Sequence, residues 1–82
     1  MKVDYNNPRV VAALKDAHEN VRKAFFKQVR LLAENLHHPS LRAKKYDEAA
    51  DLWQARVNKD WRFYFIIKDD TYIVLDVVPH PK

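Results

Sequence analysis

From Trp53 to Val78 apolar and polar residues alternate, the signature of half-buried strands, whereas from Val21 to Leu36 apolar positions recur at steps of three and four. The chain therefore divides into a helical first half and a stranded second half. Trp53, Ala55 and Val57 share one face of a first strand and leave Gln54, Arg56 and Asn58 on the other. In a second strand Trp61, Phe63, Phe65 and Ile67 share a face, opposite Arg62, Tyr64, Ile66 and Lys68. A three-residue hairpin loop at Asn58-Lys59-Asp60 sets Arg56 across from Arg62 and joins the Trp/Phe set to Ala55 and Val57; a two-residue loop would split them. Asp69-Asp70 marks the next turn. Ile73, Leu75 and Val77 are the expected core set of the last strand, with Asp76, Val78 and His80 on the arginine side.

Ahead of the strands, residues 1–6 (MKVDYN) read as a short edge strand with Val3 and Tyr5 on one side. Asn7-Pro8 reads as a helix start, Asn as N-cap and Pro at the first helical position, where its missing N–H is not needed. Val10, Val11 and Leu14 give this helix its apolar face, and it ends near Asp16. Asp16 followed by Glu19 has the spacing of a capping box and predicts that a second helix begins there. Its stripe is Phe25, Val29, Leu32 and Leu36, with Arg22, Lys23, Lys27 and Arg30 on the opposite face. His37-His38-Pro39-Ser40 ends this helix, because a residue before proline is pushed out of the helical region. Leu41 to Asp51 reads as a connection with a short extended piece from Ala43 to Tyr46.

Two helices in a hairpin, each with one apolar stripe, need a surface to cover, and the strands supply it. The expected fold is α+β in two layers: a short N-terminal strand, a two-helix hairpin, and an antiparallel sheet of three to four strands. Residues 1–82 make one domain with one core.

Composition narrows the chemistry. The chain has no cysteine, so no disulfide or thiolate metal site holds it together, and its four histidines lack the clustered spacing of a zinc site. Neither a metal nor another cofactor is expected. It has no glycine either, which excludes the phosphate-cradling turns of nucleotide-binding motifs and leaves phosphate contacts to side chains. No apolar run approaches the roughly 20 residues of a membrane span, and no signal peptide is evident, so a soluble cytoplasmic protein is the expectation. The net charge of +4 favours an acidic or polyanionic partner.

The open face of the expected sheet gathers Gln54, Arg56, Arg62, Tyr64, Asp76 and His80, with Lys44 and Lys45 at its rim. Two arginines opposite each other repel unless an anion lies between them, and the guanidinium fork matches phosphate oxygens. A surface network in which Asp76 and the Tyr64 hydroxyl satisfy both arginines is an equally open reading. His80, with an ordinary pKa of about 6.5, is the candidate for proton transfer, or else a solvated residue between two prolines. His37 and His38 close the helix, and Trp61 belongs to the core face.

The run LRAKKY, an acidic stretch, WQARVNKDWRFYF, a D-D turn and IVLDVVPH together resemble the RelE/ParE superfamily of bacterial type II toxins. The resemblance covers nearly the whole chain and is best from Leu41 to His80. It implies the strand, helix hairpin and antiparallel sheet inferred above. It also implies an endoribonuclease that cuts messenger RNA, usually on the ribosome, and is silenced by a cognate antitoxin. Carried over residue by residue, Arg62 stabilises the phosphate in the transition state, Arg56 is its basic companion, and His80 is the general acid or base. Lys44, Lys45, Tyr64 and Gln54 are the expected RNA contacts, and Asp76 and Glu48 the possible general bases.

The chemistry so implied is metal-free: the ribose 2′-hydroxyl attacks the adjacent phosphorus, giving a 2′,3′-cyclic phosphate and a free 5′-hydroxyl. This sequence departs from the better-known members in ending two residues after His80, without the tail that often adds an arginine or tyrosine; Lys82 is the substitute it offers. That departure keeps two alternatives open, a ParE-like inhibitor of DNA gyrase and a non-catalytic RNA-binding module.

Overall fold

Asn7 caps the first helix as its sequence predicts: its side-chain oxygen accepts from the Arg9 amide at 2.9 Å, and Pro8 opens the helix. Alanine at position 7 is expected to lower stability by about 1 kcal/mol, measured by urea denaturation. A computed structural model describes residues 1–80; Lys82, named above as a substitute for a longer tail, lies outside the described residues. In chain order the elements are β1 (Lys2–Asp4), α1 (Pro8–Asp16), α2 (Glu19–Glu34), a 3-10 turn (Pro39–Leu41), β2 (Lys44–Asp47), β3 (Leu52–Asn58), β4 (Trp61–Lys68) and β5 (Thr71–Pro79).

The helices follow the predicted stripes with two corrections. Val10 and Leu14 are buried, but Val11, turned about 100° from Val10 by one residue of helix, is 53% exposed. The capping box does not form. Ala17 and His18 are both extended, so Asp16 stays at the end of α1 and His18 becomes the N-cap of α2, with no side-chain bond of its own. Glu19 sits instead at the first helical position and pairs with Lys23 at 3.5 Å. Arg22, expected on a solvated face, is half-buried and donates to the carbonyls of Leu14 and Ala17, closing the end of α1.

The sheet has the order β1-β5-β4-β3-β2. Strands β2 to β5 form the expected antiparallel array, and β1 adds a parallel strand alongside β5, pairing Val3 with Tyr72. Arg56 does lie opposite Arg62, but by a different route from the three-residue loop. Asn58 pairs with Trp61 around Lys59 and Asp60, and the extra residue Val57 bulges from β3 and restores the register. The Asn58 side chain accepts from the Asp60 amide at 2.8 Å and fixes this turn.

A second bulge corrects the core. Tyr64 pairs with Asp76 but Phe65 with Val74, leaving Leu75 as the extra residue of β5. The inward set is therefore Tyr72, Val74 and Val77, while Ile73 and Leu75 are only half-buried. These residues meet Ala55, Val57, Phe63 and Phe65 under the helices, where the Phe25 and Phe63 rings sit edge to face at 5.5 Å. One polar side chain joins the helix layer to the sheet: Gln28, buried on α2, donates to the carbonyls of Ser40 (3.0 Å) and Arg56 (2.8 Å) and accepts from the Ser40 hydroxyl (3.1 Å).

Candidate functional site

The outer face of the sheet collects the charged residues because alternation sends their apolar neighbours into the core. Arg42, Lys44, Gln54, Arg56, Arg62 and His80 line a cleft of about 220 Å³ there. Strands β3 and β4 supply the paired arginines, and β2 supplies Lys44, which lies opposite Gln54. His80 follows β5 and is tied down by its backbone amide, which donates to the Asp60 carbonyl at 2.7 Å.

Arg62 is held most firmly. Its Nη1 donates to the carbonyls of Asn58 (2.7 Å) and Trp61 (2.9 Å), so the guanidinium is oriented before any ligand arrives. Burial, and then the positive charges of Arg56 and Arg42, push its pKa below the ordinary arginine value. A cluster that disfavours its own positive charge in this way favours a bound anion. Sulfate or inorganic phosphate is accordingly expected to raise the melting temperature above that in chloride of equal ionic strength, by about 4–8 °C for each kcal/mol of binding in a domain of this size. The gain is expected to vanish in Arg62→Ala.

The proposed RNA contacts divide between the two faces of β2. Lys44 faces the cleft. Lys45 faces away: it pairs with Asp51 and lies 5.2 Å from the centre of the Trp53 ring, on the side of the core. Tyr64 shares the cleft's side of the sheet and receives a hydrogen bond from Gln54 at 3.0 Å, but it lines a neighbouring cleft, as does Asp76. The Asp76 carboxylate accepts from the Val77 amide at 2.9 Å, and the surface network in which it and the Tyr64 hydroxyl satisfy the arginines is absent among the described contacts. Glu48 lies in the turn between β2 and β3 and lines neither cleft.

Arg42 is the residue that sequence reasoning passed over. It follows the 3-10 turn in the left-handed region at φ 47°, an unfavourable place for a side chain with a Cβ, and its amide donates to the Pro39 carbonyl. The dipeptide Pro39-Ser40 two residues earlier was the available signal, since a tight turn there swings the next residue toward the sheet. Arg42 and Arg56 also border a larger groove of about 520 Å³ with Lys27, Gln28 and Asn58, so positive charge continues from the cleft along the edge of α2.

No family model matches the chain, and no curated protein matches it in sequence. Solved structures match it in fold. A YoeB/ParE toxin from Agrobacterium tumefaciens superposes with a TM-score of 0.77 at 10% identity, covering 99% of this chain and 100% of that one. The YoeB-YefM toxin-antitoxin complex from Staphylococcus aureus gives 0.71 at 11% identity, covering 98% and 94%. The RelB-RelE antitoxin-toxin complex from Methanococcus jannaschii gives 0.66 at 17% identity, covering 96% and 89%.

Proposed function

Starting from a chain with the fold of RelE/ParE-superfamily toxins, we propose that it is the toxin of a type II toxin-antitoxin system and cleaves messenger RNA without a metal, acting at the ribosome. The observation that carries this reading is the juxtaposition of Arg56 and Arg62 across a hairpin with His80 in the same cleft.

A phosphodiester entering the cleft meets guanidinium groups from Arg42, Arg56 and Arg62. As the 2′-oxygen attacks phosphorus, negative charge grows on the phosphoryl oxygens, and Arg62, already oriented by two carbonyls, stabilises it without reorganising. His80 protonates the departing 5′-oxygen, a contribution of about 10² to 10⁴ in rate. The 2′-hydroxyl proton leaves to water, since neither Asp76 nor Glu48 borders this cleft. Lys44 and the groove beside α2 hold the flanking backbone, which makes binding steeply sensitive to salt.

The reading includes a protein partner. An antitoxin segment rich in acidic residues complements the net charge of +4 and is steered to the basic face. The proteins from S. aureus and M. jannaschii were solved as toxin-antitoxin complexes, which supports a protein partner.

The test incubates purified protein with ribosomes carrying a defined message in the presence of EDTA and maps the RNA ends. Cuts that leave 5′-hydroxyl termini are expected. Intact RNA together with gyrase-dependent breaks in DNA would overturn the nuclease in favour of a gyrase inhibitor, and salt-sensitive RNA binding without cuts would leave a binding module.

A further inference from the structure

Beside the arginine cleft, on the same side of the sheet, lies a second cleft of about 320 Å³ that the cleavage chemistry does not use. Its lining is aromatic and apolar, from Tyr46, Tyr64, Leu52 and Leu75, with Asp76 and Arg9 as its charged members. Leu75 is there because of a bulge: as the extra residue of β5 it leaves the inward set and turns to this cleft. Tyr46, two residues after Lys44, comes to the same side by alternation. The Tyr46 ring stands edge-on to Tyr64 at 5.0 Å and is 58% exposed, a large aromatic surface left open beside a half-buried carboxylate.

We propose that this cleft holds a guanine base of the RNA, resting on the reading that the arginine cleft holds the neighbouring phosphate. Arg62 and Tyr64 are two residues apart on one face of β4, about 7 Å, a separation that one ribose spans. The tyrosines and leucines supply the flat apolar surface on which an unstacked base settles. The carboxylate chooses among bases. Guanine alone presents two adjacent N–H donors on its pairing edge, N1–H and the N2 amino group, matching the two oxygens of Asp76. Adenine and cytosine place a ring-nitrogen acceptor next to their single amino group, and uracil flanks its one N–H with carbonyls; each of these turns a lone pair toward the carboxylate. Arg9 supplies a donor for the remaining guanine oxygen. Asp76, weighed at the sequence level as a general base, thus becomes a specificity residue.

Titration of the protein with the four nucleoside 5′-monophosphates, followed by NMR, tests this without requiring cleavage. GMP is expected to bind about tenfold or more tightly than AMP, CMP or UMP, the scale of one bidentate base contact, and to shift the ring resonances of Tyr46 and Tyr64. Asp76→Asn is expected to abolish the preference while leaving the affinity for inorganic phosphate unchanged. Tyr46→Ala, at an exposed position, is expected to weaken all four nucleotides with the melting temperature preserved. Equal binding of the four, or a guanine preference that survives Asp76→Asn, overturns the proposal. Guanine-selective binding by a protein that cuts no RNA overturns the nuclease reading instead and leaves this site standing.

Discussion

Alanine in place of Arg62 is expected to lower the single-turnover rate of RNA cleavage by about 10²- to 10³-fold, the usual loss when one preorganised oxyanion donor is removed. The magnitude follows from how the side chain is held. Two backbone carbonyls fix one nitrogen of the guanidinium, the others have no partner among the described contacts, and neither Arg56 nor Arg42 has such an anchor there. Lysine at position 62 is expected to recover little, because a single ammonium cannot hold the carbonyls and a phosphate in the same geometry. Folding is expected to survive the alanine change. Removing a charge that burial and its neighbours disfavour offsets the two lost hydrogen bonds, so the melting temperature stays within a few degrees of the parent's. A variant that melts like the parent and cleaves at the parental rate would refute the assignment of Arg62.

Gln28→Ala is expected to destabilise the protein by about 2–4 kcal/mol, because it strips partners from the Ser40 and Arg56 carbonyls and leaves a void under α2. Against a total of roughly 4–12 kcal/mol for a domain of this length, that is a large fraction. Glutamate is expected to be worse than alanine near neutral pH, since its carboxylate faces the same two carbonyl oxygens and donates to neither. Urea denaturation measures both. The Gln28 bond to Arg56 also fixes the backbone beneath a cleft residue, so the alanine variant is expected to lose cleavage rate at temperatures where it is still folded. Stability equal to the parent's would show that water replaces the amide.

Alternation was enough to read the arginine pair from sequence, because Trp53, Ala55, Phe63 and Phe65 have nowhere to go but the core. Errors arose where one extra residue changed the parity. The bulge at Leu75 exchanged Ile73 and Leu75 for Tyr72 and Val74 in the core, and no local residue pattern marks it. The bulge at Val57 was invisible for the opposite reason: combined with a tighter turn it produced the predicted pairing. Gln28 was not singled out in the sequence, since nothing in the helix records that two carbonyls wait for it across the domain. Within the site, Lys44 and Lys45 looked equivalent in sequence until strand pairing put one beside Gln54 and the other beside Trp53.

The parallel pairing of β1 with β5 joins the chain's second residue to its seventy-first, and every other element lies between them. Such contacts close the longest loops and form late in folding. Core residues Tyr72, Val74 and Val77, and the backbone hydrogen bond that seats His80, all belong to β5 and the residue after it, which are translated after every other described element. A growing chain therefore emerges with its arginine hairpin before the strand that completes the core beneath it and seats His80. If the folded protein attacks messages being read, the order of its strands delays that activity until synthesis has passed β5, and protects the message that encodes it.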